Sequence, residues 1–136
     1  MDVLTLRTEL ETLLVDLLGV YLLGNGTRTP AISVRQPSET LPAKTTVSGL
    51  EAIIMREPAL EPISAYSRAE ALRVWTVYLV EWSGQSGLTQ AASRIVRDYP
   101  STSVVTVQVP EGLGPSSQLR LQIRTGPDRV YGLGES

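Results

Sequence analysis

The chain has 136 residues, of which 42% are hydrophobic and 19% are charged, and its formal net charge is −2. This composition excludes general disorder, and the length predicts one domain with a buried core. The small net charge offers no overall attraction to nucleic acid or to an anionic membrane. The chain contains neither cysteine nor histidine. Disulfides, thiolate metal sites and the commonest general base are therefore excluded.

The N-terminal segment predicts an amphipathic helix over residues 3–18. Its leucines recur at helical spacing; they are Leu6, Leu10, Leu13, Leu14 and Leu17. Asp2 is suited to cap this helix, and Gly19 is expected to end it. The start of the chain lacks the pattern of a signal peptide, and no stretch reaches the length of a membrane span. We therefore expect a soluble protein made in the cytoplasm.

A β-hairpin is predicted after this helix. Residues 20–23 and 27–34 are two apolar runs, and Gly24-Asn25-Gly26 separates them. Asn-Gly between two apolar runs is a strong signal for an antiparallel turn. Pro30 cannot donate a backbone hydrogen bond, so it must lie at a sheet edge or at a strand start.

Two irregular connections are predicted to flank one short strand. Residues 36–48 are polar and interrupted by proline, and residues 57–69 contain two further prolines. Both segments therefore predict loops. Between them, residues 50–56 form an apolar run that predicts a strand.

Residues 71–82 predict one long strand that is largely apolar on both faces. Side chains alternate across a strand. Leu72, Val74, Tyr78, Val80 and Trp82 share one face, and Trp75, Val77 and Leu79 share the other. Such a strand belongs at the centre of a sheet and needs cover on both sides. In a chain of this length we expect that cover to require either the chain's own loops or a second molecule.

A second helix and a further strand are predicted next. Apolar residues from Leu88 to Tyr99 recur at helical spacing. Pro100 ends this helix because its ring forces the preceding residue out of helical geometry. Residues 103–109 are rich in β-branched side chains, which is typical of a strand.

The last predicted strand, residues 118–124, alternates between apolar and polar side chains. Leu119, Leu121 and Ile123 are expected to face the core. Residues 110–117 predict a projecting loop, and residues 125–136 predict a flexible tail. The predicted organisation is therefore a single domain over residues 1–124 followed by this tail.

This order of elements predicts an α+β fold, with a mostly antiparallel β-sheet and two amphipathic helices packed on one face. Two helices, each about 10 Å wide, cover roughly four strands on one face only. The other face of strand 118–124 is polar, with Gln118, Arg120, Gln122 and Arg124. The uncovered apolar area is therefore expected to be a central stripe along residues 71–82. Loops 36–48 or 57–69 could also cover that stripe.

Patterns for catalysis and metal binding are missing. There is no Gly-x-Ser-x-Gly elbow and no phosphate-binding loop that ends in Gly-Lys-Ser or Gly-Lys-Thr. Lys44 is the only lysine, and its polar segment shows no sign of the burial that a Ser–Lys pair needs. Glu57 and Glu61 have helical spacing, but Pro58 and Pro62 interrupt their segment. We therefore predict no enzyme activity, no catalytic residue, no cofactor and no metal site.

A basic stripe for nucleic acid is a weaker alternative. Arg120 and Arg124 share a strand face, and Arg73 on a neighbouring strand could extend them. No aromatic residues interleave with these arginines, so a solvated strand face is the favoured interpretation. Trp75 is expected in the core, whereas Trp82 could be either a core residue or an exposed interface anchor.

The element order and several short patterns resemble those of one known family. After the N-terminal helix come Gly19-Val-Tyr21, the Asn25-Gly26 turn and Pro30-Ala-Ile-Ser-Val34. They are followed by Gly49-Leu-Glu-Ala-Ile-Ile54, Trp75-Thr-Val-Tyr-Leu-Val-Glu-Trp82 and a helix that ends in Asp98-Tyr99-Pro100. In this order, residues 1–124 resemble the tail terminator, or tail-completion, proteins of long-tailed bacteriophages and related tail-like particles.

The resemblance implies a structural virion protein of the tail and neck that is assembled in the host cytoplasm. In that family an α+β subunit forms a homohexameric ring. The ring caps the tail tube, stops polymerisation of tube and sheath, and joins the tail to neck or stopper proteins. Genomic DNA only passes through the lumen of such a ring, and no membrane is involved. The family has no catalytic residues to transfer.

The expected interface residues come from this sequence alone. They lie in the projecting segments, at the end of the long strand, on the polar strand face and in the tail, and they are Leu41, Trp82, Glu111, Leu113, Arg120, Arg124, Arg129 and Tyr131. Projecting loops on a rigid scaffold commonly carry function. Two other functions stay open. One is another neck or baseplate component, such as a stopper or a sheath initiator, and the other is a small-ligand-binding domain that uses the second sheet face as its pocket.

Overall fold

The computed structural model describes residues 1–36, 39–63, 70–83, 87–108 and 115–129. In this part of the chain the helices are α1 (Val3–Leu13) and α2 (Gly87–Asp98). The strands are β1 (Val20–Leu22), β2 (Arg28–Pro30), β3 (Ile32–Arg35), β4 (Thr46–Ser48), β5 (Leu50–Met55), β6 (Ala59–Pro62), β7 (Glu70–Glu81), β8 (Ser103–Val107) and β9 (Ser117–Arg129). The fold is α+β, as the sequence predicts.

The strands form a main sheet and a small sheet. The main sheet has the order β3-β5-β7-β9-β8, and the long strand β7 lies at its centre, as predicted. β9 pairs with one side of β7, whereas β5 and β6 pair in succession with the other side, and all three pairs are antiparallel. Only β3 and β5 run parallel among the described pairs. The small sheet is antiparallel and has the order β2-β1-β4.

Both helices pack on one face of the main sheet, as predicted, and bury a common core. The core side chains are Leu6, Leu10 and Leu14 in or directly after α1, Leu88, Ala91, Ala92 and Ile95 of α2, Ile32 of β3, Leu50, Ala52 and Ile54 of β5, and Trp75, Val77, Leu79, Leu121 and Ile123 of β7 and β9. Trp75 is 1% exposed, and its Nε1 donates a hydrogen bond to Thr125 Oγ1 at 2.9 Å. The predicted core position of Trp75 is therefore confirmed.

The first helix is shorter than predicted. Asp2 Oδ1 caps it by accepting a hydrogen bond from Thr5 N at 2.8 Å, as expected. The helix ends at Leu13 instead of continuing to Gly19. The chain leaves helical geometry because Gly19 N donates to Leu50 O at 2.8 Å, which draws this segment onto the sheet. The second helix ends before Pro100, as predicted.

The predicted hairpin is present, but its second apolar run serves two sheets. Residues 28–30 pair with β1 in the small sheet, whereas residues 32–35 pair with β5 in the main sheet. Ala31 lies at the switch, where its N–H donates to Gly19 O at 3.0 Å and its C=O accepts from Ala52 N at 2.9 Å. Pro30 lies on the edge strand β2, which confirms its predicted position.

Segments predicted as irregular contain strands. Residues 46–48 of the predicted loop 36–48 form β4, and residues 59–62 of the predicted connection 57–69 form β6. These strands have three and four residues, too few for a periodic pattern, so pairing with a distant strand decides their conformation.

The last two strands also differ from the prediction at their ends. β8 ends at Val107, and residues 109–114 lie outside the described part of the chain. β9 runs from Ser117 to Arg129, so it takes in residues 125–129 of the predicted tail. Residues 125–129 are strand because this end of β9 pairs with the start of β7. Residues 130–136 lie outside the described residues.

Candidate assembly interface

The outer face of the main sheet, opposite the helices, carries the second apolar set of β7. That set is Leu72, Val74, Tyr78, Val80 and, directly after the strand, Trp82. On the β9 side, Val74 and Tyr78 pair with Arg124 and Arg120. On the other side, Tyr78 pairs with Ile53 of β5. The outer face is therefore an apolar centre with a polar flank on β9, as the sequence predicts.

The apolar centre is partly covered by the chain itself. Val74 is 7% exposed and Val80 is 4% exposed, whereas Tyr78 is half-buried. A shallow groove of about 160 Å³ lies over this region, lined by Arg35, Gln36, Glu39, Ile53, Met55, Tyr78 and Gln118. Residues 36 and 39 belong to the predicted loop 36–48, so this segment contributes cover. The segment 59–62 does not, because β6 pairs beside β7 within the sheet.

A buried carboxylate closes one end of the outer face. Glu51 of β5 is 1% exposed. Its Oε2 accepts hydrogen bonds from Tyr21 Oη at 2.5 Å and from Arg35 Nη2 at 3.2 Å, and its Oε1 accepts from Trp82 Nε1 at 3.0 Å. Three donors, one of them cationic, replace the water that this carboxylate loses on burial. We call Tyr21, Arg35, Glu51 and Trp82 the Glu51 cluster.

The Glu51 cluster connects the small sheet to the main sheet through hydrogen bonds. Its members come from β1, β3, β5 and the residue after β7. The Tyr21 hydroxyl also lies within hydrogen-bonding distance of Ser33 Oγ, at 2.9 Å. Burial raises the pKa of the Tyr21 hydroxyl above its usual value, and the hydrogen bond to Glu51 raises it further. The cluster is thus a neutral phenol, an indole and an ion pair joined across two sheets.

Trp82 lies outside the core cluster, so the prediction of a core position is wrong, and its role as an interface anchor stays a prediction. The side chain is 36% exposed, so part of the indole faces solvent. Its N–H is nevertheless bound to Glu51, which fixes the orientation of the ring. Trp82 is therefore a rigid, partly exposed aromatic residue at the end of the outer face.

The other expected interface residues are only partly brought together. Arg120 is exposed and Arg124 is half-buried, and both lie on the outer face. Leu41 is half-buried in the segment between β3 and β4. Arg129 ends β9, but its side chain lies outside the description, as do Glu111, Leu113 and Tyr131 entirely.

The basic stripe is not formed. Arg73 pairs with Thr125 on the helix side of the sheet, and its Nη1 donates to Met1 O at 2.8 Å. Its position in β7 is one residue out of phase with Val74, so it cannot extend the row of Arg120 and Arg124. Arg124 is also paired, with its Nε 3.3 Å from the carboxylate of Glu61.

Sequence reasoning missed two buried acids and one exposed edge. Glu51 and Glu81 are 1% and 2% exposed, and Glu81 accepts a hydrogen bond from Ser83 Oγ at 2.9 Å. A single acid inside an apolar strand was the available signal for both. The missed edge is β8, where Val104 and Val105 are 42% and 46% exposed.

The described residues offer little for metal binding. No group of three or more acidic side chains that could hold a metal ion occurs among them. No helix in the described ranges is long and apolar enough to cross a membrane.

Comparisons of the chain with protein-family models, with curated proteins and with solved structures gave no match.

Proposed function

We propose that this chain is a structural subunit of a long-tailed bacteriophage or related tail-like particle and acts as a tail terminator. By resemblance it forms a hexameric ring that caps the tail tube and stops polymerisation of tube and sheath. The same ring joins the tail to the neck, and the chain acts by binding alone. The order of helices and strands supports this proposal, because the sequence resemblance rests on that order.

The outer face of the sheet is the observation that carries the proposal. Both helices lie on the other side, yet the outer face presents half-buried Tyr78, Ile53 and Met55 and partly exposed Trp82, with Arg120 beside them. Aromatic residues, methionine and arginine are enriched in protein interfaces. A ring subunit needs a contact that places one surface against a different surface of its neighbour. The outer face supplies one of these surfaces.

The ligand-binding alternative has less support. The outer-face groove measures about 160 Å³, below the range of roughly 300–1,000 Å³ that is usual for small-molecule pockets.

A stopper or a sheath initiator of the same particle stays open as the nearest alternative. Its position distinguishes it, because a terminator lies at the head-proximal end of the tube.

The proposal is tested by adding the purified protein to polymerising tail-tube subunits. We expect rings with a central hole in negative-stain images, and tubes that stop growing once capped. Arg120→Glu reverses an exposed charge on the outer face and should weaken ring formation. Arg97→Glu is the matched control, since it makes the same charge reversal on α2, where the Arg97 side chain is 71% exposed. A protein that stays monomeric and leaves tube length unchanged would refute the proposal.

A further inference from the structure

The edge strand β8 lacks the features that normally prevent strand addition. In the described part of the chain β8 pairs with β9 alone, in a regular register without a bulge. Val104 and Val105 point to opposite faces, and both are exposed. No charged residue, proline or glycine lies between Ser103 and Gln108. Natural edge strands are usually protected by charge, proline, a bulge or a covering segment.

The other edges of the two sheets carry such protection or are very short. Arg7 Nη2 reaches the carbonyl of Ile32 on β3 at 3.5 Å, and the same strand ends in Arg35. β2 contains both Arg28 and Pro30, and β6, which pairs with β7 alone in the described ranges, contains Glu61 and Pro62. β4 is uncharged but has only three residues. Among the described strands, β8 is therefore the edge best suited to accept another strand.

We propose that β8 pairs antiparallel with β8 of a second copy of this chain. Centred on Val105, this pairing places Val105 opposite the partner's Val105 and Val104 opposite the partner's Thr106. Cross-strand pairs of β-branched side chains stabilise antiparallel sheets. A second copy fits better than a charged peptide, because the uncharged strand is complementary to itself and each exposed valine gains a β-branched neighbour on the partner strand.

Charge and size set the strength of this contact. Arg120 is the register partner of Val105 on β9, so the two copies of Arg120 lie three strand spacings apart, about 14 Å. This exceeds the Debye length of about 8 Å at physiological ionic strength. Repulsion is therefore screened in physiological salt and felt at low salt. A strand of five residues buries less surface than a stable dimer needs, so the dimer is weak.

This contact is independent of the proposed ring. It uses the same surface on both copies, and such an interface closes on itself instead of continuing around a ring. It therefore describes association of the free subunit. Disrupting it should leave ring formation on tail tubes intact.

Disulfide trapping tests the register directly. The chain has no cysteine, so any cross-link reports the introduced residue alone. Val105→Cys places two thiols on directly opposed residues, whose Cα atoms lie about 4.5–5.5 Å apart, within disulfide reach. We expect rapid formation of covalent dimers by Val105→Cys and slower formation by Val104→Cys, whose two copies are offset. Val15→Cys is the control, since Val15 is 70% exposed outside the sheets.

Sedimentation equilibrium measures the association without a cross-link. Val105→Lys should weaken it roughly tenfold, because it sets two lysines opposite each other, and Val15→Lys should leave it unchanged. Added salt should strengthen association of the unmodified protein. The proposal is overturned if the protein shows no dimer or if Val15→Cys cross-links as fast as Val105→Cys. It is also overturned if Val105→Lys abolishes rings on tail tubes, which would place β8 in the ring contact instead.

Discussion

Glu51 shows at the level of a single residue how this fold accommodates a buried charge. Its carboxylate receives hydrogen bonds from Tyr21, Arg35 and Trp82. Glu51→Gln keeps the shape of the side chain but removes its charge, so half-buried Arg35 loses its counterion. We expect the free energy of unfolding to fall by about 2–4 kcal/mol. Urea denaturation followed by tryptophan fluorescence measures this change.

A second Glu–Arg pair provides the control. Glu39 and Arg56 are 2.7 Å apart, but their side chains are 40% and 45% exposed. Exposed ion pairs contribute about 0–1 kcal/mol, so Glu39→Gln should change stability little. Equal losses in the two glutamine variants would contradict the role assigned to the Glu51 cluster.

The raised pKa of Tyr21 predicts a loss of stability in alkali. Below pH of about 10, the usual pKa of tyrosine, the hydroxyl is neutral in both the folded and the unfolded protein. Its full contribution to the free energy of unfolding is present there. Above that pH the unfolded state loses the proton, whereas the folded state keeps it because burial and Glu51 oppose ionisation. The free energy of unfolding should therefore fall as pH rises above about 10.

Tyr21→Phe tests this pH dependence. The variant should be less stable at pH 8, because it loses the hydrogen bonds to Glu51 and Ser33. Above pH of about 10 its stability should fall less steeply than that of the unmodified protein. Tyr99, whose pKa burial also raises, should account for part of the remaining slope. Parallel curves for the two proteins would show that Tyr21 does not cause the effect.

At the residue scale, the sequence could predict what depends on neighbours along the chain. The Asp2 cap follows from the residues next to it, and the core position of Trp75 follows from strand alternation. The Glu51 cluster could not be predicted, because its donors lie 30, 16 and 31 residues away from Glu51. Only the folded chain brings them to one carboxylate.

Among the elements, the crossing of two chain segments at Gly19 and Gly49 sets how the two sheets meet. A Cβ on Gly19 would lie 2.8 Å from Gly49 Cα and would also clash with the carbonyl of Ser48. Both obstacles are backbone atoms, which cannot move aside as a flexible side chain can. Gly19→Ala should therefore lower the free energy of unfolding by more than about 2 kcal/mol.

Gly26 is the matched control for this substitution. It has a φ of +86°, but a Cβ there would meet no atom within 4 Å. Gly26→Ala should lower stability by about 1 kcal/mol, from backbone conformation alone. Thermal and urea denaturation of both variants separates steric exclusion from conformational strain. A Gly19→Ala protein no less stable than Gly26→Ala would mean that the crossing relaxes easily.

At the element scale, the length of a helix or strand decided whether the sequence could predict it. The helix α2 and the strands β7 and β9 are long enough for a periodic apolar pattern to predict them. β4 and β6 have too few residues to do so, and they are strands because β1 and β7 pair with them. The early end of α1 also depends on a residue distant in the chain, because Leu50 O competes with the helix for the N–H of Gly19.

In the whole molecule, the described residues form two sheets that are joined at limited points. The Gly19–Gly49 crossing and the Glu51 cluster connect the small sheet to the main sheet. The two helices pack on the main sheet, and the core cluster draws no residue from β1, β2 or β4. The small sheet should therefore be able to detach while the main sheet stays folded, as a separate cooperative unit.

Native-state hydrogen exchange tests this separation with two variants. Ile123→Val trims the core of the main sheet and should cost about 0.5–1.5 kcal/mol. It should lower the protection of amides in β7 and β9. The protection of amides in β1 and β4 should stay unchanged, because detachment of the small sheet leaves the surroundings of Ile123 intact. Glu51→Gln should lower protection in both groups, since either opening breaks the Glu51 cluster. If Ile123→Val instead lowered the protection of β1 and β4 equally, the two sheets would unfold as one unit.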